Sequence, residues 1–133
     1  MKILIAEDDY ISQKVLKKLL SEYGECYIAA DGKETIELFM KATEAGDPFD
    51  LICLDIMMPK MDGHTILQVI RRIEVSKGIF WLDGVKIIIT SSFNDDAHVM
   101  KALRNQANSY LIKPIDKKNL MEVLNSLKLT EKN

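Results

Sequence analysis

The sequence predicts an α/β fold, in which a parallel sheet of five strands is flanked by five helices. Five short apolar runs alternate along the chain with five amphipathic patterns of helical period. The central run, residues 51–54, is apolar at every position, which is typical of a strand buried on both faces of a parallel sheet. Strands that alternate with helices imply right-handed crossovers, and these make neighbouring strands parallel.

The first half of the chain contains three predicted strands and two predicted helices. The strands are expected at residues 2–6, 26–30 and 51–55, the second of them weaker and nearer an edge of the sheet. The first helix begins at Tyr10, presents one apolar face, and ends by Gly24. The second helix spans residues 34–44, and the Gly46-Asp47-Pro48 turn ends it.

The second half of the chain continues the alternation. A third helix is expected over residues 64–75, a fourth strand over 85–89 and a fifth strand over 109–112. Between these strands, the acidic residues 94–96 are typical of a helix N-terminus, and that helix runs to residue 105. Asp116 opens the last helix, whose apolar residues recur at helical spacing.

Composition limits the classes of function. The 133 residues fit one domain, and 47% hydrophobic with 29% charged residues is the balance of a globular protein. A net charge of −2 without a basic run argues against direct binding of nucleic acid. The apolar runs are too short to cross a membrane, and the N-terminus turns acidic too early for a signal peptide, so we expect a cytoplasmic protein. Cys26 and Cys53 are expected to be buried free thiols.

Charged and polar residues follow four of the predicted strands. They are Glu7, Asp8 and Asp9 after the first strand, Asp55 at the end of the third, Ser91 at the end of the fourth and Lys113 after the fifth. The carboxyl ends of parallel strands share one edge of the sheet, where ligands bind in open α/β folds. Clustered carboxylates repel one another unless a cation intervenes, and their oxygens suit Mg²⁺. An aspartate beside Mg²⁺ and a lysine is arranged to accept a phosphoryl group.

Four motifs stand at these strand ends in a fixed order. They read ILIAEDD at residues 3–9, LDIMMPKMDG at 54–63, TSS at 90–92 and YLIKPI at 110–115. In this combination the chain resembles the receiver domain of two-component response regulators. The resemblance implies one receiver domain over residues 1–133 and a flavodoxin-like, doubly wound sheet with the strand order 2-1-3-4-5.

The resemblance also implies a role for each motif residue. Asp55 falls at the phosphoacceptor, Glu7 and Asp8 at the acidic pair that holds Mg²⁺, and Met57 at the residue whose backbone carbonyl binds the metal. Glu7 is longer than the aspartate common in the family, so we expect it to act through a bound water.

The remaining motif residues belong to the switch. Ser91 falls at the switch hydroxyl, chosen over its rivals Thr90 and Ser92 because its spacing to Lys113 matches the family. Lys113 falls at the family's lysine, with a cis peptide bond to Pro114, and Tyr110 falls at the aromatic switch residue.

Two segments depart from the family pattern. Asn108 stands in a turn where the family usually has glycine before alanine, and we expect this residue to adopt a positive φ. The loop over residues 77–84 is longer than in compact members, and we expect its Ile79, Phe80 and Trp81 to pack back onto the third helix rather than to form a partner site. His64 and His98 have no partner ligands at metal spacing, so surface or capping roles are favoured for them.

The resemblance implies a signalling switch that catalyses only its own phosphorylation and dephosphorylation. A sensor histidine kinase or a histidine phosphotransfer protein would supply the phosphoryl group, and a downstream effector protein would read the result. One alternative is a Mg²⁺-dependent phosphatase or hydrolase with an aspartate nucleophile. Such enzymes usually carry a general-acid aspartate two residues after the nucleophile, and Met57 stands there instead.

A second alternative is a pseudo-receiver, an interaction module that is not phosphorylated. The presence of Asp8, Asp55, Ser91 and Lys113 together argues against it. The sequence leaves open whether the chain is a stand-alone regulator or part of a longer one.

Overall fold

The computed structural model of the chain describes residues 1–80 and 83–130, which form five strands and five helices in alternation. The strands are β1 (Lys2–Ala6), β2 (Glu25–Ala29), β3 (Leu51–Asp55), β4 (Lys86–Ser91) and β5 (Ser109–Ile112). The helices are α1 (Tyr10–Leu20), α2 (Gly32–Glu44), α3 (Gly63–Ser76), α4 (Asp96–Arg104) and α5 (Lys117–Ser126).

All four strand pairs are parallel, and the strand order is β2-β1-β3-β4-β5. The predicted fold class and strand order are therefore confirmed. The second strand lies at an edge of the sheet, as its weaker apolar pattern predicted, and its residues are partly exposed. The third strand lies in the centre, and all five of its residues are buried.

Two apolar layers cover the sheet, one on each face. Helices α1 and α5 pack on one face through Leu16, Leu20, Leu120 and Leu124. Helices α2, α3 and α4 cover the other face, where Phe39 and Ile70 are among the buried side chains. Because alternate residues of each strand enter opposite layers, the near-continuous apolar runs of the sequence are explained by burial on both faces.

Each helix begins after an aspartate whose side chain accepts a hydrogen bond from the backbone N–H three residues later. The capping residues are Asp9, Asp31, Asp62, Asp95 and Asp116. These caps account for the turns that the sequence places between each strand and the next helix. The first helix ends at Leu20, earlier than predicted, because residues 21–24 form a turn.

Two local predictions need correction. Asn108 does not adopt a positive φ; the left-handed residue of that turn is Gln106, with φ of 71°. The side chain of Asn108 accepts hydrogen bonds from Arg71 and from the backbone N–H of Ile87 instead. In the loop after α3, Phe80 is 66% exposed rather than packed on the helix. Trp81 lies outside the described residues.

Other local expectations agree with the structure. Cys26 and Cys53 are free, although Cys26 is only half-buried. The peptide bond between Lys113 and Pro114 is cis. Within the described part of the chain, none of the helices has the length and hydropathy needed to span a membrane.

Candidate functional site

Asp55 is the last residue of β3, at the carboxyl edge of the sheet, and its residue surface is only 4% exposed. Its Oδ1 accepts a hydrogen bond of 3.0 Å from the backbone N–H of Met57. The chain then turns back tightly, and the N–H of Gly63 donates to the carbonyl of Ile56. A Cβ at Gly63 would lie 2.8 Å from the backbone oxygen of Asp55, so a larger residue there would displace the loop between β3 and α3.

Glu7 and Asp8 follow β1 and lie beside Asp55. Glu7 is fully buried, and its Oε2 accepts a hydrogen bond of 3.1 Å from the N–H of Asp9. Asp8 is exposed. Each of Glu7, Asp8 and Asp55 offers a carboxylate oxygen, and these three oxygens lie within 4.8 Å of one another. Such a set of hard oxygen donors, with one side open to water, fits a Mg²⁺ ion.

Lys113 connects the last strand to this acidic cluster. Its ammonium lies 2.6 Å from Oε1 of Glu7 and 3.2 Å from Oδ2 of Asp55. Its backbone N–H donates to the carbonyl of Ser91, which fixes the start of the side chain against β4. The structure therefore brings Glu7, Asp8, Asp55 and Lys113 into one site, as the strand ends predicted.

The electrostatics of the cluster depend on burial and on Lys113. Burial raises the pKa of Glu7 from 4.5 to about 7, with a further increase from the hydrogen-bonded Asp55 carboxyl and an opposing decrease from Lys113. Burial lowers the pKa of Lys113, but its hydrogen bonds and charge interactions with Glu7 and Asp55 outweigh this effect and raise it overall. The lysine is therefore held as a cation beside the Glu7 carboxyl, whose pKa is raised by burial.

The three candidate hydroxyls at the end of β4 differ in their surroundings. Ser91 is buried, and its Oγ accepts a hydrogen bond of 2.9 Å from the N–H of Phe93. Thr90 is also buried, and its hydroxyl has no hydrogen-bond partner among the described residues. Ser92 is exposed. Of the three hydroxyls, that of Ser91 is thus tied to the loop that leads into α4.

Tyr110 and Ser91 contact the same residue. The Tyr110 hydroxyl donates a hydrogen bond of 3.0 Å to the carbonyl of Phe93, while the N–H of Phe93 donates to Ser91. The Phe93 ring stacks on the His98 ring, with ring centres 4.4 Å apart and planes within 6°. Phe93 therefore links the serine, the tyrosine and the first turn of α4, a link that the sequence did not reveal.

The two histidines lie near one another, with ring centres 6.1 Å apart. His98 has a capping role, as predicted, because its ring bonds the carboxylate of Asp95. His64 is not on the surface: it is buried and its ring nitrogens have no partner among the described residues. Burial lowers the pKa of His64, and Lys101 lowers it further, so the neutral imidazole is favoured.

Gln13 is a further residue of the site that sequence reasoning missed. Its side-chain amide, on α1, donates a hydrogen bond of 2.7 Å to the backbone carbonyl of Glu7 and so holds the acidic turn against the helix. A glutamine in the first turns of an amphipathic helix carries no local signal for such a contact. The contact forms only because α1 folds back alongside the end of β1.

The profile of the response regulator receiver domain family matches residues 3–125. The chain belongs to this family. Receiver domains are signalling switches rather than enzymes in the ordinary sense, and they interact with histidine kinases and phosphotransfer proteins. The domain is accordingly a phosphoacceptor module of two-component signal transduction.

Curated relatives of this receiver domain come from several kinds of protein. It is 34% identical over 128 residues to the chemotaxis protein CheY of Treponema pallidum, covering 95% of this chain and 81% of that protein. It is 31% identical over 126 residues to the osmosensing histidine protein kinase SLN1 of Saccharomyces cerevisiae, covering 93% of this chain but 10% of the kinase. The receiver domain thus spans a small part of some relatives and most of others.

A solved structure with the same architecture is the CheX–CheY–BeF₃–Mg²⁺ complex from Borrelia burgdorferi. It matches with a TM-score of 0.80 and 27% identity, covering 96% of this chain and 89% of that chain.

Proposed function

We propose that Asp55 accepts a phosphoryl group from a histidine kinase or a histidine phosphotransfer protein. The observation that carries this proposal is the position of the Lys113 ammonium, which contacts both Glu7 and Asp55 at the carboxyl edge of the sheet. A buried carboxylate held by a cation, with two more carboxylates beside it, has the composition of a phosphoryl-transfer site. The extent of the domain, residues 1–133, and its cytoplasmic location stay predictions.

The chemistry assigns a task to each side chain. A carboxylate oxygen of Asp55 attacks the phosphorus of the donor, forms a new P–O bond, and releases the imidazole nitrogen of the phosphohistidine with the electron pair of the broken P–N bond. Lys113 would stabilise the negative charge that develops on the phosphoryl oxygens. Its ammonium is already beside the reacting carboxylate, because it donates a hydrogen bond to Oδ2 of Asp55. Hydrolysis of the acyl phosphate by water restores the carboxylate, so the domain catalyses only its own phosphorylation and dephosphorylation.

The acidic cluster is where we place Mg²⁺. Glu7, Asp8 and Asp55 would hold the ion, together with the backbone carbonyl of Met57, and a bound Mg²⁺ supplies positive charge to the transferring phosphoryl group. The CheY complex from Borrelia burgdorferi, a structural relative, contains Mg²⁺ with BeF₃. Glu7 must lose its proton to bind the ion. Burial raises the pKa of that carboxyl and so disfavours this deprotonation.

The switch is proposed to run through Phe93. A phosphoryl group on Asp55 offers strong acceptors to the Ser91 hydroxyl. Reorientation of that hydroxyl weakens its bond with the Phe93 N–H, and the same residue accepts the bond from Tyr110. A shift of the loop therefore changes the position of Tyr110 and of α4, whose surface together with β5 and α5 would bind a downstream effector protein.

The proposal is tested with Mg²⁺ and acetyl phosphate as a small phosphodonor. Intact-mass analysis should show one added phosphoryl group on the parent and none on Asp55→Asn, with both proteins folded by circular dichroism. Asp83→Asn, an exposed aspartate at the opposite edge, is the matched control and should be phosphorylated like the parent. Phosphorylation of the Asp55→Asn variant would show that another residue is the acceptor.

A further inference from the structure

The chain has three arginines, and all of them line a single groove between α3 and α4. The groove has a volume of about 400 Å³. We call it the arginine groove, and its walls are Gln68, Arg72 and Val75 from α3 and Arg104, Asn105 and Gln106 from the end of α4, with Arg71 at its floor. The other fifteen cationic residues of the chain are lysines, and none of those in the described residues lines this groove.

Arg71 forms the floor and is fully engaged. Its guanidinium donates to Glu74, to the backbone carbonyls of Val85 and Gln106, and to Asn108. Only 6% of its side chain is exposed, and only 4% of that of Glu74. A Cβ at Gly84 would lie 2.4 Å from both carboxylate oxygens of Glu74, so the ion pair is tightly enclosed. This buried pair holds the start of β4 and the turn before β5 against α3, which gives the groove a rigid base.

Arg72 and Arg104 are different, because both are exposed. Within the described residues, neither side chain is in a hydrogen bond or an ion pair. Among residues 1–80 and 83–130, no carboxylate lines the groove, so the two guanidinium groups meet no opposing charge from this part of the chain. The Gln68 amide donates a hydrogen bond of 3.1 Å to the Asn105 side chain, which leaves a carbonyl oxygen of Gln68 and an amide group of Asn105 for another partner.

Arginine, rather than lysine, is the side chain that binds carboxylates in a bidentate manner. Arg104 lies in the last turn of α4, where any cation is favourable for the helix dipole. That effect does not extend to Arg72, which precedes the last turn of α3, and it gives no preference for arginine. The two exposed guanidinium groups and the polar amides beside them form a set of hydrogen-bond donors that suits carboxylates.

We propose that the arginine groove docks an acidic segment of a partner protein, with its carboxylates paired to Arg72 and Arg104. The groove is open to solvent rather than enclosed, whereas small-molecule sites surround most of their ligand. Val75, 56% exposed at its edge, offers an apolar contact beside the charges. Arg71 bonds the chain just before β4 and β5, so the groove lies at the edge of the sheet opposite Asp55. A partner seated there leaves the phosphoacceptor accessible.

A capped hexaglutamate peptide is the probe, titrated into ¹⁵N-labelled full chain at low salt. The side-chain amides of Gln68 and Asn105 should shift on binding. The Arg72→Gln/Arg104→Gln double variant should bind about tenfold or more weakly, since two charge-assisted hydrogen-bond sites are lost. The Arg72→Lys/Arg104→Lys variant keeps the charge but cannot form bidentate hydrogen bonds with a carboxylate, so its affinity should lie between those of the parent and the glutamine variant.

The matched control is Lys17→Gln/Lys18→Gln, which removes two exposed cations from α1. It should bind the peptide like the parent. Equal losses in the arginine and lysine variants would mean non-specific attraction and would overturn the proposal. Binding of inorganic phosphate or ATP that depends on the arginines, without binding of hexaglutamate, would overturn it in favour of a small-anion site. Asp55→Asn should bind the peptide normally, so this test is independent of the phosphoacceptor assignment.

Discussion

Glu7→Gln should change how the stability of the protein depends on pH. Glu7 is fully buried beside Asp55, and this environment raises its pKa to about 7. In the unfolded chain the same carboxyl titrates near 4.5. Between these two values the folded protein binds a proton that the unfolded chain has already lost. Stability from Glu7 is therefore complete below about pH 4.5 and is lost as the pH rises through about 7.

The size of the effect follows from the difference between the two pKa values. A shift of one unit corresponds to about 1.4 kcal/mol, so the raised pKa of Glu7 should lower the free energy of unfolding by roughly 2 to 3 kcal/mol between about pH 5 and pH 8. The glutamine variant has no proton to release there. It also loses the ion pair with Lys113, so the prediction concerns the slope of stability with pH and not its absolute level.

Urea unfolding at a series of pH values, with a chelator present, measures this slope. The difference in free energy of unfolding between the parent and Glu7→Gln should change by roughly 2 to 3 kcal/mol over that range, because the parent loses stability as the pH rises and the variant does not. Histidine titration contributes to both proteins and cancels in the difference. Glu44→Gln, at the exposed end of α2, is the matched control and should retain the slope of the parent. Parallel curves for the parent and Glu7→Gln would refute the reasoning.

Three further predictions concern the metal, the switch and the lifetime of the phosphoryl group. Asp8→Ala removes one of the three carboxylates and should cost most of the Mg²⁺ affinity measured by calorimetry; unchanged binding would exclude the proposed metal site. Ser91→Ala should still be phosphorylated, but activation should no longer shift the NMR signals of α4 and β5, and shifts equal to those of the parent would contradict the switch. Met57 and Phe93 have no strong polar group to orient an attacking water, so we expect slow loss of phosphate, and Met57→Asn with Phe93→Glu should accelerate it about tenfold, equivalent to roughly 1.4 kcal/mol. Equal rates of phosphate release from the parent and the double variant would contradict water exclusion.

The lifetime prediction depends on where these two side chains lie. Met57 is 61% exposed and Phe93 is 36% exposed, with the Phe93 ring stacked on His98. Neither side chain is buried over Asp55 in this arrangement. Shielding by Phe93 therefore requires its ring to leave His98, which the proposed movement of the loop after Ser91 permits. The kinetic measurement on the double variant tests this directly.

The sequence predicted the parts of the structure that local patterns determine. Apolar runs located the five strands, and acidic residues located the starts of the fourth and fifth helices, because capping is a contact between residues three apart. The convergence of Asp55, Glu7, Asp8 and Lys113 followed from topology, since the carboxyl ends of parallel strands share an edge.

The errors arose where a side chain binds a partner that is distant in the sequence. Asn108 looked suited to a positive φ, but its carbonyl oxygen is needed by Arg71, which is 37 positions earlier in the chain. Nothing in the local sequence singles out Arg71 and Glu74, yet they form a buried ion pair enclosed by the loop before β4. The burial of Glu7 was equally hidden, because an acidic triplet after a strand is typical of an exposed turn. A local sequence pattern does not predict which charged side chain will be buried in an ion pair or a hydrogen bond.

The measurement that tests the central claim most directly is the location of the phosphoryl group. The protein would be phosphorylated with acetyl phosphate and Mg²⁺, then treated with borohydride, which reduces an acyl phosphate of aspartate to homoserine, and the peptides would be sequenced by mass spectrometry. The account predicts homoserine at position 55 and intact acidic residues at positions 7 and 8. Reduction at Glu7 or Asp8, with Asp55 unchanged, would contradict it.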